Sequence, residues 1–231
     1  MPLWKLHQGE WVDAGLRDSK LGQVAFLCGA GPSLATMDVS QLKGDGRVVV
    51  GVNKSWHKVI PDYWIGMDQP KAHEPELFET SFPKIMAGFP RVLNEVQKRQ
   101  DMMFLQFKNE GGLWQFESTK QFAWHRNSFS TALQFCLYLG VSTIAFLGVD
   151  LDNSKAFYCI PVDHPDYNEA YRKMTQILYD QLYDLLKNMR PECETRGIEL
   201  VSCVPNGRIN GIMPYRTVDQ VIYRAEHPTL V

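Results

Sequence analysis

The segment AFYCIPVDHPDYNEAY, residues 156–171, gathers Tyr158, Asp163, His164 and Tyr167 between an apolar run and a long helical pattern. Imidazole titrates near neutrality, so it takes or gives a proton at working pH. That makes His164 the candidate general acid/base, with Asp163 and Tyr158 beside it as candidate catalytic residues. A second set of chemically useful residues stands where apolar runs stop. VAFLC runs into Gly29, Ala30, Gly31, Pro32 and Ser33, RVVVGV into Asn53, YWIGM into Asp68, and TIAFLGV into Asp150. HRNSFS adds Asn127, Ser128 and Ser130 at what reads as a helix start, with Ser128 or Ser130 as its cap. A glycine turn that opens a helix presents backbone amides and the positive end of the helix dipole, which favour a phosphate.

Other chemistries lack their signatures. The turn is not a Walker loop, because no Gly-Lys-Ser/Thr ending follows, and Leu34 stands where a dinucleotide fingerprint has its third glycine. There is no His-Glu-x-x-His spacing and no Gly-x-Ser-x-Gly elbow. The motifs nominate no metal-ligand set.

The elements that must position these residues are legible as a pattern. Val24–Cys28, Arg47–Val52, Thr143–Val149 and Ile198–Val204 are short, Val- and Ile-rich runs without strict alternation, which suits parallel strands covered on both faces. YWIGM and Met102–Phe107 are weaker strand candidates. Pro32 and Ser33 fit a helix's first turn, NSFSTALQFCLYLG reads as a helix stopped by Gly140, and YRKMTQILYDQLYDLLKNM keeps helical apolar spacing with Pro191 as its stop. Strands alternating with helices imply an α/β fold: a single Rossmann-like domain over residues 1–231, with a mostly parallel, doubly wound sheet and a small lid or insertion. Segments 108–127 and 152–170 are the candidate lids. In such a sheet ligands bind outside the carboxyl ends of the strands, where Gly29, Asn53, Asp68 and Asp150 all fall.

Composition narrows the partners. The chain has 231 residues, 45% hydrophobic and 22% charged, with a formal net charge of −2. It therefore has no global basic character to attract nucleic acid or an anionic membrane. The five cysteines, Cys28, Cys136, Cys159, Cys193 and Cys203, form no Cys-x-x-Cys pair and read as small buried hydrophobes in a reducing, cytoplasmic compartment. The first residues lack a signal-peptide layout, and the longest apolar stretch, Phe135–Val149, is shorter than the roughly 18 residues of a membrane span.

Taken in order, FLCGAGPSL, VVVGVNKSW, NSFSTALQFCLYLGVSTIAFLGVDL, a His/Tyr segment and GIELVSCVPNG resemble one superfamily over roughly residues 22–215. It comprises the lipooligosaccharide sialyltransferases of glycosyltransferase family 42, the Maf-type flagellin glycosyltransferases and the archaeal 6-hydroxymethylpterin diphosphokinase-like proteins. The resemblance implies that Gly29, Ala30, Gly31, Pro32 and Ser33 cradle a donor phosphate, with Asn53 nearby. It implies that Gly148 and Asp150 border the nucleoside, that Ser128 and Ser130 match a helix-start Ser-Gly segment, that Tyr158 assists the leaving phosphate and that His164 is the base.

Three functions fit. In the first, a sugar moves from a nucleotide-activated donor to a hydroxyl on a glycan, a protein, a small molecule or a hydroxymethylated base. His164 then deprotonates the acceptor, while helix amides stabilise the departing phosphate. In the second, a diphosphokinase moves pyrophosphate from ATP to a hydroxymethyl compound, with Mg²⁺ held near Asp68 and Asp150. The third is a nucleotide-binding module without turnover. The glycosyltransferase is the preferred expectation, and it needs no cofactor beyond its nucleotide-sugar substrate.

Overall fold

The computed structural model describes residues 3–88, 101–108, 122–123, 127–152 and 168–227. Eleven strands are present among them: β1 (Leu3–His7), β2 (Glu10–Asp13), β3 (Val24–Cys28), β4 (Arg47–Val52), β5 (Tyr63–Gly66), β6 (Lys84–Ala87), β7 (Met102–Leu105), β8 (Phe107–Lys108), β9 (Phe122–Ala123), β10 (Thr143–Leu147) and β11 (Glu199–Ser202). Three α-helices accompany them: α1 (Ser128–Tyr138), α2 (Glu169–Thr195) and α3 (Val218–Glu226). Nine strands form one sheet in the order β11-β10-β3-β4-β5-β6-β7-β1-β2. From β11 to β7 every pairing is parallel, and the hairpin β1–β2 adds antiparallel at the β7 edge. The architecture is α/β with a mostly parallel, doubly wound sheet.

Burial follows the pleat. Trp64, Met86, Met102 and Phe104 pack on one face, while Ile65, Ile85, Met103 and Leu105 point to the other, as the two-residue period of a strand requires. The central strand β3 is buried over its whole length. Cys28, Cys136, Cys193 and Cys203 are buried and unpaired, and burial pushes the Cys193 and Cys203 thiols up to about 12. Lys84 is fully buried, and its ammonium donates to the carbonyls of Thr80 and Phe82 and to the Asp101 carboxylate at 2.6 Å. Among the described residues no helix is long and apolar enough to cross a membrane.

Three local expectations are corrected. After the glycine turn the chain makes only a 3-10 turn, Pro32–Thr36, whose C-cap Met37 is already extended. Pro191 does not end α2, which continues to Thr195. The Thr195 hydroxyl donates to the Pro191 carbonyl, and the helix ends where Gly197, at φ +70°, lets the Ile198 amide reach the Cys193 carbonyl. Neither serine caps α1: the cap is Asn127, whose Oδ1 accepts from the amides of Phe129 (2.7 Å) and Ser130 (3.4 Å).

Candidate active site

Strand register brings the glycine turn and the other strand ends to one level. Cys28 pairs with Leu147 on one side and with Gly51 on the other, so Gly29 meets Gly148 across the strands and lies beside the Val52–Asn53 end of β4. β3 is also where the chain's direction of winding reverses. β4 to β7 build outward on one side of it, and β10 and β11 return to the other. Ligands of open α/β sheets bind at such a switch point, outside the carboxyl ends of the strands.

The contact there leaves no room for side chains. A Cβ on Gly29 would lie 2.5 Å from the Gly148 carbonyl oxygen, and one on Gly148, at φ +61°, would lie 2.6 Å from that of Gly29. A Cβ on Gly31 would overlap the Asp150 carboxylate. The amides of Gly29 and Gly31 donate to the carbonyls of Leu147 and Gly148, both at 2.8 Å, and knit the turn to β10. Asp150 completes the join. Its carboxylate accepts the Ser33 amide at 3.3 Å and the Ser33 hydroxyl at 2.9 Å. Burial pushes the Asp150 carboxyl above its ordinary range, and the Ser33 hydrogen bonds offset part of that rise.

The N-terminus of α1 faces the same space. The Ser128 hydroxyl accepts the Met67 amide at 3.2 Å and fixes the helix start against the end of β5. The Asn53 carbonyl accepts the Trp64 indole N–H at 2.7 Å, and the side chain's Oδ1 is buried without a partner.

A cavity of about 350 Å³ lies at this point. Ten of the sequence-nominated binding residues line it: Gly29, Ala30, Gly31, Pro32, Asn53, Asp68, Asn127, Ser128, Gly148 and Asp150. Ser33 and Ser130 stand outside the lining. Ser33 faces Asp150, and Ser130 is fully buried with its hydroxyl donating to the Asn127 carbonyl at 2.9 Å. Tyr158, Asp163 and His164 lie outside the described residues. Arg208 points elsewhere, paired with Asp180 and set 4.5 Å over the Tyr183 ring.

Much of the remaining wall comes from α2. Its cap Asn168 accepts the Tyr171 amide at 3.0 Å, and Tyr171, Met174, Thr175, Leu178, Tyr179 and Leu182 line the cavity. These positions form one helical stripe, and the sequence reading of this segment gave its helical apolar spacing but no part in the site. A second cavity of about 390 Å³ adjoins the first and shares Ala30, Asn53, Asp68 and Tyr171 with it. Lys54, Trp56, Lys71, Ala72, His73 and Glu74 complete its wall. They sit on short turns after β4 and β5, where no periodicity marks them. Burial pushes the Glu74 carboxyl up, but hydrogen bonds from Lys54 and His57 outweigh it and hold the group below its ordinary range. No cluster of three or more metal-ligating side chains occurs among the described residues.

Fold and cleft together define a doubly wound α/β protein with a two-chambered cavity at its switch point. No family model and no curated protein matches the chain. Solved structures of sialyltransferase CstII from Campylobacter jejuni are similar to it at low identity. The complex with the substrate analogue cytidine-5'-monophosphate is 14% identical, with a TM-score of 0.45 over 84% of this chain and 85% of that one. CST-II with a trisaccharide acceptor and CMP is 14% identical, with a TM-score of 0.48 over 84% and 86%. A single-residue variant of CST-II with CMP is 13% identical, with a TM-score of 0.48 over 84% and 86%.

Proposed function

We propose that the protein is a glycosyltransferase that moves a sugar from a nucleotide-activated donor to a hydroxyl acceptor. The observation that carries this reading is the pair of adjoining chambers with a common wall at Ala30, Asn53, Asp68 and Tyr171. Group transfer needs two substrates held side by side with their reacting atoms at one boundary. The first chamber offers apolar helix surface at Met174, Leu178 and Leu182 for a base and ribose, opposite small residues that admit close backbone approach at Gly29 and Gly31. The second chamber carries cationic, aromatic and titratable side chains suited to a polar substrate.

In this reading the donor phosphate is assigned to the junction of the two chambers. Lys54, paired with Glu74 at 2.8 Å, and Lys71 line the second chamber with Asn53, and Asp150 is not part of that lining. A negative charge departing from the anomeric carbon is stabilised best by groups already oriented toward it, and each such donor contributes roughly 3 kcal/mol.

The test is a thermal-shift screen of CMP, UMP, UDP, GDP, ADP and ATP and the common nucleotide sugars, each with Mg²⁺ and with EDTA. A ligand at about 100 times its Kd adds about 2.7 kcal/mol. Stabilisation by a pyrimidine or guanosine nucleotide in EDTA, together with release of that nucleotide from its sugar conjugate, supports the transferase. Stabilisation by ATP with Mg²⁺ alone assigns the cleft to a diphosphokinase, and binding without turnover of any donor leaves a nucleotide-binding module.

A further inference from the structure

We infer that Thr175 reads the base of the donor nucleotide: its hydroxyl forms a hydrogen bond with a polar atom on the rim of the base seated in the first chamber. The inference rests on the transferase reading above and adds to it a residue that sets which nucleotide is accepted. Thr175 stands in the middle of the α2 stripe, with Tyr171 one turn before it and Leu178, Tyr179 and Leu182 in the two turns after it, and all of them line the chamber.

The side chain does not serve the frame. Thr175 is only 6% exposed, yet among the described residues no group donates to its hydroxyl or accepts from it. A threonine within a helix ordinarily returns its hydroxyl to a carbonyl one turn back. Thr131 does so toward Asn127 at 3.2 Å and Thr195 toward Pro191 at 2.9 Å, but Thr175 makes no such bond to Tyr171. Nor is its oxygen sealed inside protein, as Asn53 Oδ1 and His73 Nε2 are. The hydroxyl therefore opens on the chamber that the residue lines. A hydroxyl left unpaired in a buried place is unfavourable, and threonine is a weaker helix former than the leucines and methionine around it. Valine would fill the same outline in this apolar wall, so what threonine adds is a donor and an acceptor.

A nucleobase is flat, apolar on its faces, and carries its hydrogen-bonding atoms on its rim. Met174, Leu178 and Leu182 supply apolar surface for the faces. On the strand-end wall the polar side chains already serve the protein: Asp150 accepts from Ser33, Asn127 from the amides of Phe129 and Ser130, and Ser128 from the Met67 amide. Thr175, on the helix wall, has its hydrogen-bonding capacity left for a ligand. Ribose and phosphate are common to every nucleotide, so only a contact to the base can discriminate. A base that brings a polar rim atom to Thr175 pairs the hydroxyl, and one that does not leaves it unpaired at a cost in affinity.

The experiment compares wild type, T175V and T175S. It measures Tm without ligand, and the Kd of CMP, UMP, GMP and AMP by calorimetric titration. T175V is expected to melt at or above wild type, because the hydroxyl it loses bonds to no protein group. It should bind the preferred nucleotide about 3- to 10-fold more weakly and the others within about twofold of wild type. T175S keeps the hydroxyl and loses the methyl. It is expected to melt below wild type yet keep the wild-type order of affinities, and loss of that order overturns the inference. Equal affinity of wild type for all four nucleotides, an equal loss for all four in T175V, or unchanged affinity in T175V also overturns the inference alone. A T175V that melts well below wild type, or does not fold, assigns the hydroxyl to the frame and overturns it as well. Absence of nucleotide binding in wild type overturns the functional reading and the inference with it.

Discussion

The Asp150 carboxylate receives both the amide and the hydroxyl of Ser33, so the end of β10 is tied to the turn that follows β3 across 117 residues of chain. The amide that would greet a phosphate at Ser33 is therefore occupied by the protein's own carboxylate. The glycine turn contributes shape and close approach, and Asp150 holds it there. S33A should lose about 1.5–3 kcal/mol, the range for a hydrogen bond to a charged group. D150A should lose at least as much, and its nucleotide affinity should fall more than tenfold. D150N retains an acceptor and should recover most of the stability. Urea denaturation and calorimetric titration with the nucleotide found in the screen check all three.

The back-to-back glycines give a sharper test. Gly148 carries φ +61°, a conformation that costs an L-residue about 1–2 kcal/mol, and its Cβ would press on the Gly29 carbonyl and on Leu34. With overpacking of about 1–3 kcal/mol added, G148A is expected to lose about 2–5 kcal/mol at unchanged m-value. G31V drives its side chain into Asp150 and the Gly148 carbonyl. It should abolish nucleotide binding while melting remains cooperative.

At the start of α1, Ser128 and Asn127 have separable tasks. S128A leaves the buried Met67 amide without its acceptor and should cost about 1–3 kcal/mol. N127A removes a helix cap and should cost about 1 kcal/mol. Both side chains line the first chamber, so nucleotide Kd, measured beside Tm, should rise in each variant.

His73 makes stability depend on pH in a defined direction. Its value in the folded protein is depressed by burial, so the unfolded chain takes up the proton first as pH falls. The stability that neutral His73 contributes is present above the unfolded value of about 6.5. It is lost as pH falls from there through the lower folded value. Wild type should therefore lose more Tm than H73Q between about pH 7 and 5. Equal slopes for the two proteins would show that the ring is not shielded.

What the sequence determined by itself was the local grammar. The apolar runs at Val24, Arg47 and Thr143 became parallel strands because continuous Val- and Ile-rich segments are at home only where both faces are covered. Their polar ends marked the cleft because strands in such a sheet end at one edge. Gly140 stopped α1 as read, through its positive φ. Pro191 was misread because a proline's local effect was weighed without the packing of Cys193 and the Thr195 hydrogen bond that carry α2 past it. Strands β1, β2 and β6 are only four or five residues long: β1 is held by pairing with β7, distant in the chain, β2 by its hairpin with β1, and β6 by its place between β5 and β7.

Only the tertiary structure decided which polar residues face the cavity and which serve the frame. Ser33 and Ser130 have the same side chain as Ser128. Yet the first meets Asp150, the second turns back on its own helix, and Ser128 reaches both Met67 and the cavity. His73 carries no spacing that would announce it. Its place depends on two short turns that fold over the ends of β4 and β5, against Trp64 and beside Asn53. Side-chain chemistry is written residue by residue, but a site is a set of distances between strand ends, and those are fixed by register and by the order in which the strands assemble.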